Sequence, residues 1–277
     1  MCRWLAYSGS PVLLEDLLYK PQHSLVVQSL HSQMGAETTN GDGFGLGWYG
    51  NRDTPGVFRS TEPAWNDINL RELAGHIASP RVFAHIRAST GSPVQLTNCH
   101  PFREGRWLWM HNGFINGFAG LKRDLALAVA PEFFPRIQGT TDSELMFFLA
   151  LTLGLEDDPP AAVARMVGLV EERAERRGVA GPVQMTIATT DGTTTWAFRY
   201  SSEGRSRSLF HSTDISTLRH QYPDNPALHE LSDDARLVVS EPLGDLRGAW
   251  REVPESSCVT IGGGREELRP FQPTKPD

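Results

Sequence analysis

A chain of 277 residues with 39% hydrophobic and 21% charged side chains has the ordinary balance of a globular protein and the length to bury a substantial core. A net charge of −7 without a lysine- or arginine-rich stripe excludes the electrostatic footprint of a nucleic-acid binder. The three cysteines, Cys2, Cys99 and Cys258, form no CxxC pair, which argues against a disulfide framework or a thiolate zinc site and for a reducing, cytoplasmic compartment. No secretory signal and no apolar run of about 18 residues is present, so neither export nor a membrane span is expected.

The chain opens MCRWLAY. A methionine ahead of a small residue is a substrate for removal, and a chain starting at Cys2 would carry a thiol and a free α-amine on one residue. Arg3–Ser8 reads as a short strand. Ser10-Pro11 then reads as an N-cap and first helical position leading into VLLEDLLYK. Gly41–Gly50 is glycine-rich and turns strand-like. It lacks the strand–loop–helix order and the GK[ST] of a phosphate loop, so it reads as a structural turn with close backbone packing. Val82–Ala88 and Arg106–His111 read as strands, the second with Trp107 and Trp109 alternating.

Asp142–Leu153 reads as a buried helix and Ala161–Arg177 as an amphipathic one ending before Gly178. Strands follow at Val183–Thr190, Thr194–Tyr200, Arg207–Ser212, Arg236–Val239 and Cys258–Ile261, and the proline-rich tail from Pro270 is expected to fray. Strands at both ends and helices between them suit a layered α+β fold. With no internal repeat and no linker, residues 2–269 are expected to form one domain and 270–277 a tail.

No HExxH and no His/Asp/Glu cluster with metal-ligand spacing appears, and no GxSxG elbow anchors a serine triad. Four other stretches matter: MCRWLAY, AHIRASTG (Ala84–Gly91), MHNGFINGF (Met110–Phe118) and TTDSE (Thr140–Glu144). Singly, HNG could be a turn, IRAS a strand end and TDSE a helix start. In this order behind Cys2 they resemble the class II glutamine amidotransferases, which are N-terminal-nucleophile (Ntn) hydrolases. NGDGFGLGWY (Asn40–Tyr49), NCHPF (Asn98–Phe102) and VVSEPLGDLRGAW (Val238–Trp250) are similar to segments of the small stand-alone members.

The resemblance implies a four-layer αββα sandwich of two mostly antiparallel sheets. It implies cleavage of the γ-glutamyl amide of glutamine or a γ-glutamyl compound through a thioester on Cys2, with no metal and no organic cofactor. A free thiol of pKa ~8.5 needs a base, and an α-amine of pKa ~7.7–8.0 on the same residue suits that task. The side-chain amide of Asn112 and the backbone N–H of Gly113 would stabilise the oxyanion, where a side chain at position 113 would crowd the substrate. Arg87 would pair with the α-carboxylate, Thr90 would add a hydroxyl contact and Asp142 would hold the α-ammonium.

His85, His100 and His111 are expected to position or support the site, Cys99 and Cys258 to be inert core thiols, Trp4 to form pocket wall and Asp42 to order its glycine-rich loop. Larger members of the family fuse this domain to a synthase that consumes the ammonia. No acceptor domain is visible here, so either a separate ammonia-accepting synthase is the partner or the protein is a hydrolase, as in the γ-glutamyl hydrolases of thiol metabolism, ergothioneine synthesis included. The alternative is a catalytically silent binding or regulatory domain.

Overall fold

Period-2 alternation sorts the strands into two sheets, each with two usable faces. The computed structural model describes residues 2–34, 39–89 and 91–275. Its strands are β1 (Arg3–Leu13), β2 (Phe44–Trp48), β3 (Gly56–Ser60), β4 (Ala78–Ile86), β5 (Phe102–Glu104), β6 (Trp107–Ile115), β7 (Val183–Thr190), β8 (Thr194–Ser201), β9 (Phe210–Ser212), β10 (Arg236–Val239), β11 (Trp250–Glu252), β12 (Ser257–Gly262) and β13 (Arg265–Pro270). The first sheet has the order β11-β9-β10-β1-β4-β2-β3 and the second β13-β12-β8-β7-β6-β5. Every pairing among the described residues is antiparallel.

Three apolar layers hold four layers of structure together. Trp4, Ala6, Phe83, Leu108, Met110 and Ala188 pack between the sheets. Leu5, Tyr7, Val82 and Ala84, of opposite parity on β1 and β4, face helices α1 (Leu14–Leu18), α2 (Leu25–Leu30) and α3 (Ile68–His76). Trp107, Trp109 and Ile115 of β6 face α4 (Phe118–Ala126), α5 (Asp142–Thr152) and α6 (Pro159–Glu175). The short helices α7 (Ile215–Gln221) and α8 (Pro226–His229) add Ile215 and Leu228 to the first outer layer. This is the αββα sandwich.

Several elements depart from their sequence reading. Ser10-Pro11 does not start a helix; β1 continues to Leu13 because Val12 pairs with Ser79 and Leu13 with Ala78 beyond a register shift. Pro11 sits inside that irregularity, where no ladder N–H is required. β6 runs past His111 to Ile115, so Asn112 and Gly113 lie on a strand facing Thr186 and Met185 of β7 rather than in a turn. β9 begins only at Phe210, and β3, β5, β11 and β13 are strands the pattern did not mark. The tail does not fray over its described length: Phe271 is 4% exposed and meets Phe198 and Tyr200 edge-on, and the Thr274 N–H donates to the Ala164 carbonyl on α6. No helix among the described residues is long and apolar enough to cross a membrane.

Candidate active site

The parity that places Trp4 and Ala6 between the sheets also points Cys2 there, at the mouth of the layer, where it is partly exposed. Its Sγ lies 3.3 Å from the Ala88 backbone N and 3.4 Å from the Ala88 carbonyl. Burial pushes the thiol pKa up, against the Ala88 backbone contact and the nearby charges of Arg87 and Arg3. A thiol so placed stays protonated at neutral pH without a base beside it.

The same alternation brings His85 of β4 and Asn112 of β6 face to face across the layer. Asn112 Nδ2 donates to the Cys2 carbonyl at 2.9 Å. A carbonyl only accepts, so this contact fixes the amide orientation and turns Oδ1 toward His85 Nε2, 3.0 Å away. Oδ1 also only accepts, so His85 carries its proton on Nε2. Burial lowers the His85 pKa to about 3, which keeps the ring neutral.

His100 stacks on His85 with ring centroids 4.1 Å apart. A Cβ on Gly45 of β2 would lie 2.2 Å from the His100 carbonyl, so glycine at 45 is what lets this backbone approach the first sheet. Burial also lowers the His100 and His111 pKa values, with Asp142 opposing the effect at His111.

One cavity of about 390 Å³ opens over this mouth, within the range of small-molecule sites. Cys2, Arg87, Gly113 and Asp142 line it, together with His100, His111, Phe114, Phe118 and Lys122. Asn112 stands one residue behind the wall and reaches Cys2 from below.

Gly113 adopts φ 144°, and a Cβ there would meet the Gln184 carbonyl at 1.9 Å. The need for glycine is therefore set by β7, not by crowding of a substrate.

Arg87 is 3% exposed. Its Nη2 donates to Ser92 Oγ at 2.7 Å and to the Pro93 carbonyl at 3.1 Å, and Nη1 makes one long contact of 3.4 Å to the Asp42 carbonyl. Asp42 Oδ2 in turn accepts the Ser89 N–H at 2.7 Å, so its side chain orders the segment after Arg87.

Asp142 opens α5 but does not cap it; Thr141 does, accepting the Glu144 N–H. Its carboxylate is tied down by the Ile115 N–H on Oδ2 and the Ser143 N–H on Oδ1, both at 2.8 Å, which leaves lone pairs for a cation. Ser143 Oγ sits 2.8 Å from His111 Nδ1 and joins α5 to β6.

NCHPF ties the walls together. Asn98 Nδ2 donates to Pro93 O and Thr140 Oγ1, and its Oδ1 accepts the Thr140 N–H. Thr90 lies outside the described residues. Trp4 is not pocket wall: it is fully buried between the sheets, with Nε1 3.3 Å from Thr186 Oγ1. Cys99 and Cys258 are buried thiols, both with pKa raised by burial. Sequence reasoning missed Ala88, Ser92, Ser143 and Lys122 at the site, because none stands in a pattern of its own.

The family model of class II glutamine amidotransferases matches residues 19–261. The Saccharomyces cerevisiae protein named "Probable glutamine amidotransferase DUG3" is 36% identical over 291 residues, covering 94% of this chain and 82% of its own. The gamma-glutamyl-hercynylcysteine sulfoxide hydrolase of Mycolicibacterium smegmatis is 29% identical over 250 residues, 87% of this chain and 99% of its own. Among solved structures, a glutamine aminotransferase class-II domain protein from Silicibacter pomeroyi superposes with a TM-score of 0.76 at 32% identity, covering 99% of this chain and 100% of that one.

Proposed function

The chain belongs to the class II glutamine amidotransferases, and from that premise we propose that Cys2, freed of Met1, cleaves a γ-glutamyl amide as the nucleophile. The observation that carries this reading is the convergence on one cavity of Cys2, Arg87, Gly113 and Asp142, with Asn112 bonded to Cys2 from behind. The α-amine of Cys2 takes the thiol proton, because burial keeps the thiol protonated and the buried neutral histidines are poor bases. The thiolate attacks the γ-carbonyl, and its oxygen becomes an oxyanion. The second N–H of Asn112 Nδ2 and the Gly113 N–H are the donors for that charge. Collapse breaks the C–N bond, and the amine leaves with the proton held on the α-amine. Water then hydrolyses the thioester, giving glutamate and the free thiol.

Asp142 receives the substrate α-ammonium, and Arg87 receives the α-carboxylate through the guanidinium N–H groups its own loop does not occupy. The name of the mycobacterial relative favours γ-glutamyl compounds alongside glutamine as substrates. The test is glutamate release from glutamine and from a γ-glutamyl peptide. The Cys2→Ala variant should release none while melting close to the parent protein; turnover in that variant would end the mechanism.

A further inference from the structure

The late SEP segment and the arginine beside the nucleophile form a buried charge pair, neither member of which lines the cavity. Arg3 Nε donates to Glu241 Oε2 at 2.8 Å, and both side chains are 3% exposed. Arg3 Nη1 donates to the Cys2 carbonyl at 3.1 Å. The Glu241 carboxylate also accepts the Gln33 N–H at 2.9 Å, the Met34 N–H at 3.1 Å and the Ser32 hydroxyl at 3.2 Å. Arg3 Nη2 reaches Ser32 Oγ and the Met34 carbonyl. One residue earlier, Ser240 exchanges bonds with the Trp4 backbone at 2.9 and 3.0 Å, which sets the register of Glu241 against Arg3.

A buried ion pair is costly to desolvate, and packed apolar side chains fill such a site at least as stably. Its location suggests what it does instead. The first residue of a chain has no preceding peptide to hold it and tends to fray. Attack geometry tolerates little displacement. Here the carbonyl of Cys2 is gripped by two donors, Asn112 Nδ2 and Arg3 Nη1, and the second of these is oriented by Glu241.

We propose that Glu241, acting through Arg3, is a positioning residue that fixes Cys2 for attack. The inference rests on the reading of Cys2 as nucleophile. It assigns Arg3 and Glu241 no contact with substrate, since neither lines the cavity.

The experiment compares parent protein, Cys2→Ala, Glu241→Gln, Glu241→Asp and the double variant Arg3→Met/Glu241→Met. Steady-state kinetics on one γ-glutamyl substrate are read beside the rate of Cys2 alkylation by an electrophilic glutamine mimic. Glu241→Gln should lower kcat by ~10- to 10²-fold with KM within about twofold of the parent, and slow alkylation to match. Glu241→Asp should recover part of the loss. The double variant removes both charges of the pair at once; the Gln33 and Met34 N–H groups lose their acceptor, so it should melt below the parent, but its folded molecules should still show the low kcat, which keeps the test decisive if Glu241→Gln does not fold. A folded double variant with parental kcat and alkylation rate overturns the proposal, as does a loss confined to KM. Absence of turnover in the parent, or turnover in Cys2→Ala, would instead overturn the underlying reading of Cys2.

Discussion

The layer between the two sheets has two ends built on the same strands. At one end Phe83, Leu108, Met110 and Ala188 are fully buried and wholly apolar. At the other, His85 replaces the pattern of Phe83 on β4, Asn112 that of Met110 on β6, and Thr186 that of Ala188 on β7. The parity and burial are the same and the chemistry is opposite. The polar end also buries two imidazoles, His85 and His100, stacked on one another. Burying polar groups costs a fold stability, and aliphatic side chains would serve packing better. The difference teaches that the polar end exists to present Cys2 and the cavity above it, while the apolar end supplies the stability that tolerates it.

Substitutions at the two ends should therefore fail in different ways. Asn112→Ala removes an oxyanion donor and should lower kcat by ~10²–10³-fold. It also strands the His85 Nε2–H, so the variant should lose about 1–3 kcal/mol of stability in denaturant titration. A change in KM alone would assign Asn112 to ordinary binding. Met110→Ala, at the apolar end, should cost about 2–5 kcal/mol of stability yet keep the turnover of the remaining folded molecules. Parallel loss of kcat there would erase the distinction between the ends.

Arg87→Ala should weaken capture of substrates bearing a free α-carboxylate by about 1.5–3 kcal/mol, read from kcat/KM. Equal loss on substrates without that carboxylate would reduce Arg87 to a brace for Ser92 and Pro93.

A further contrast is read in acid. Unfolded, His85 takes a proton near pH 6.5; folded, only near pH 3. The unfolded chain thus binds more protons across that window, and stability falls as pH drops through it. The slope is about 1.4 kcal/mol per pH unit for each such histidine, and His85→Gln should remove one proton from it in pH-dependent melting. An unchanged slope would mean that His85 is not held neutral.

Much of the frame was legible in the chain. β7 and β10 were read to the residue, because alternating or apolar β-branched runs bounded by turns signal strands locally. The boundaries that failed depend on distant partners. Pro11 remains in β1 because Ser79 and Ala78 pair beyond it, and β6 absorbs HNG because β7 offers a ladder to Ile115. The tail packs because Phe271 finds Phe198 and Tyr200.

For the site, ordered motifs pointed to Cys2, Arg87, Asn112, Gly113 and Asp142, and four of these line one cavity. The reason for Gly113 lay in Gln184, 71 residues on, and no local pattern carries such a contact. The partnership of Arg3 with Glu241 spans 238 residues and likewise shows only in the fold.

The most direct measurement is the intact mass of the protein before and after incubation with an electrophilic glutamine mimic. The account predicts loss of Met1 and a single adduct that maps to Cys2 and is blocked by excess substrate. Retained Met1 in a protein that turns over substrate, or an adduct on Cys99 or Cys258 with Cys2 untouched, would contradict it.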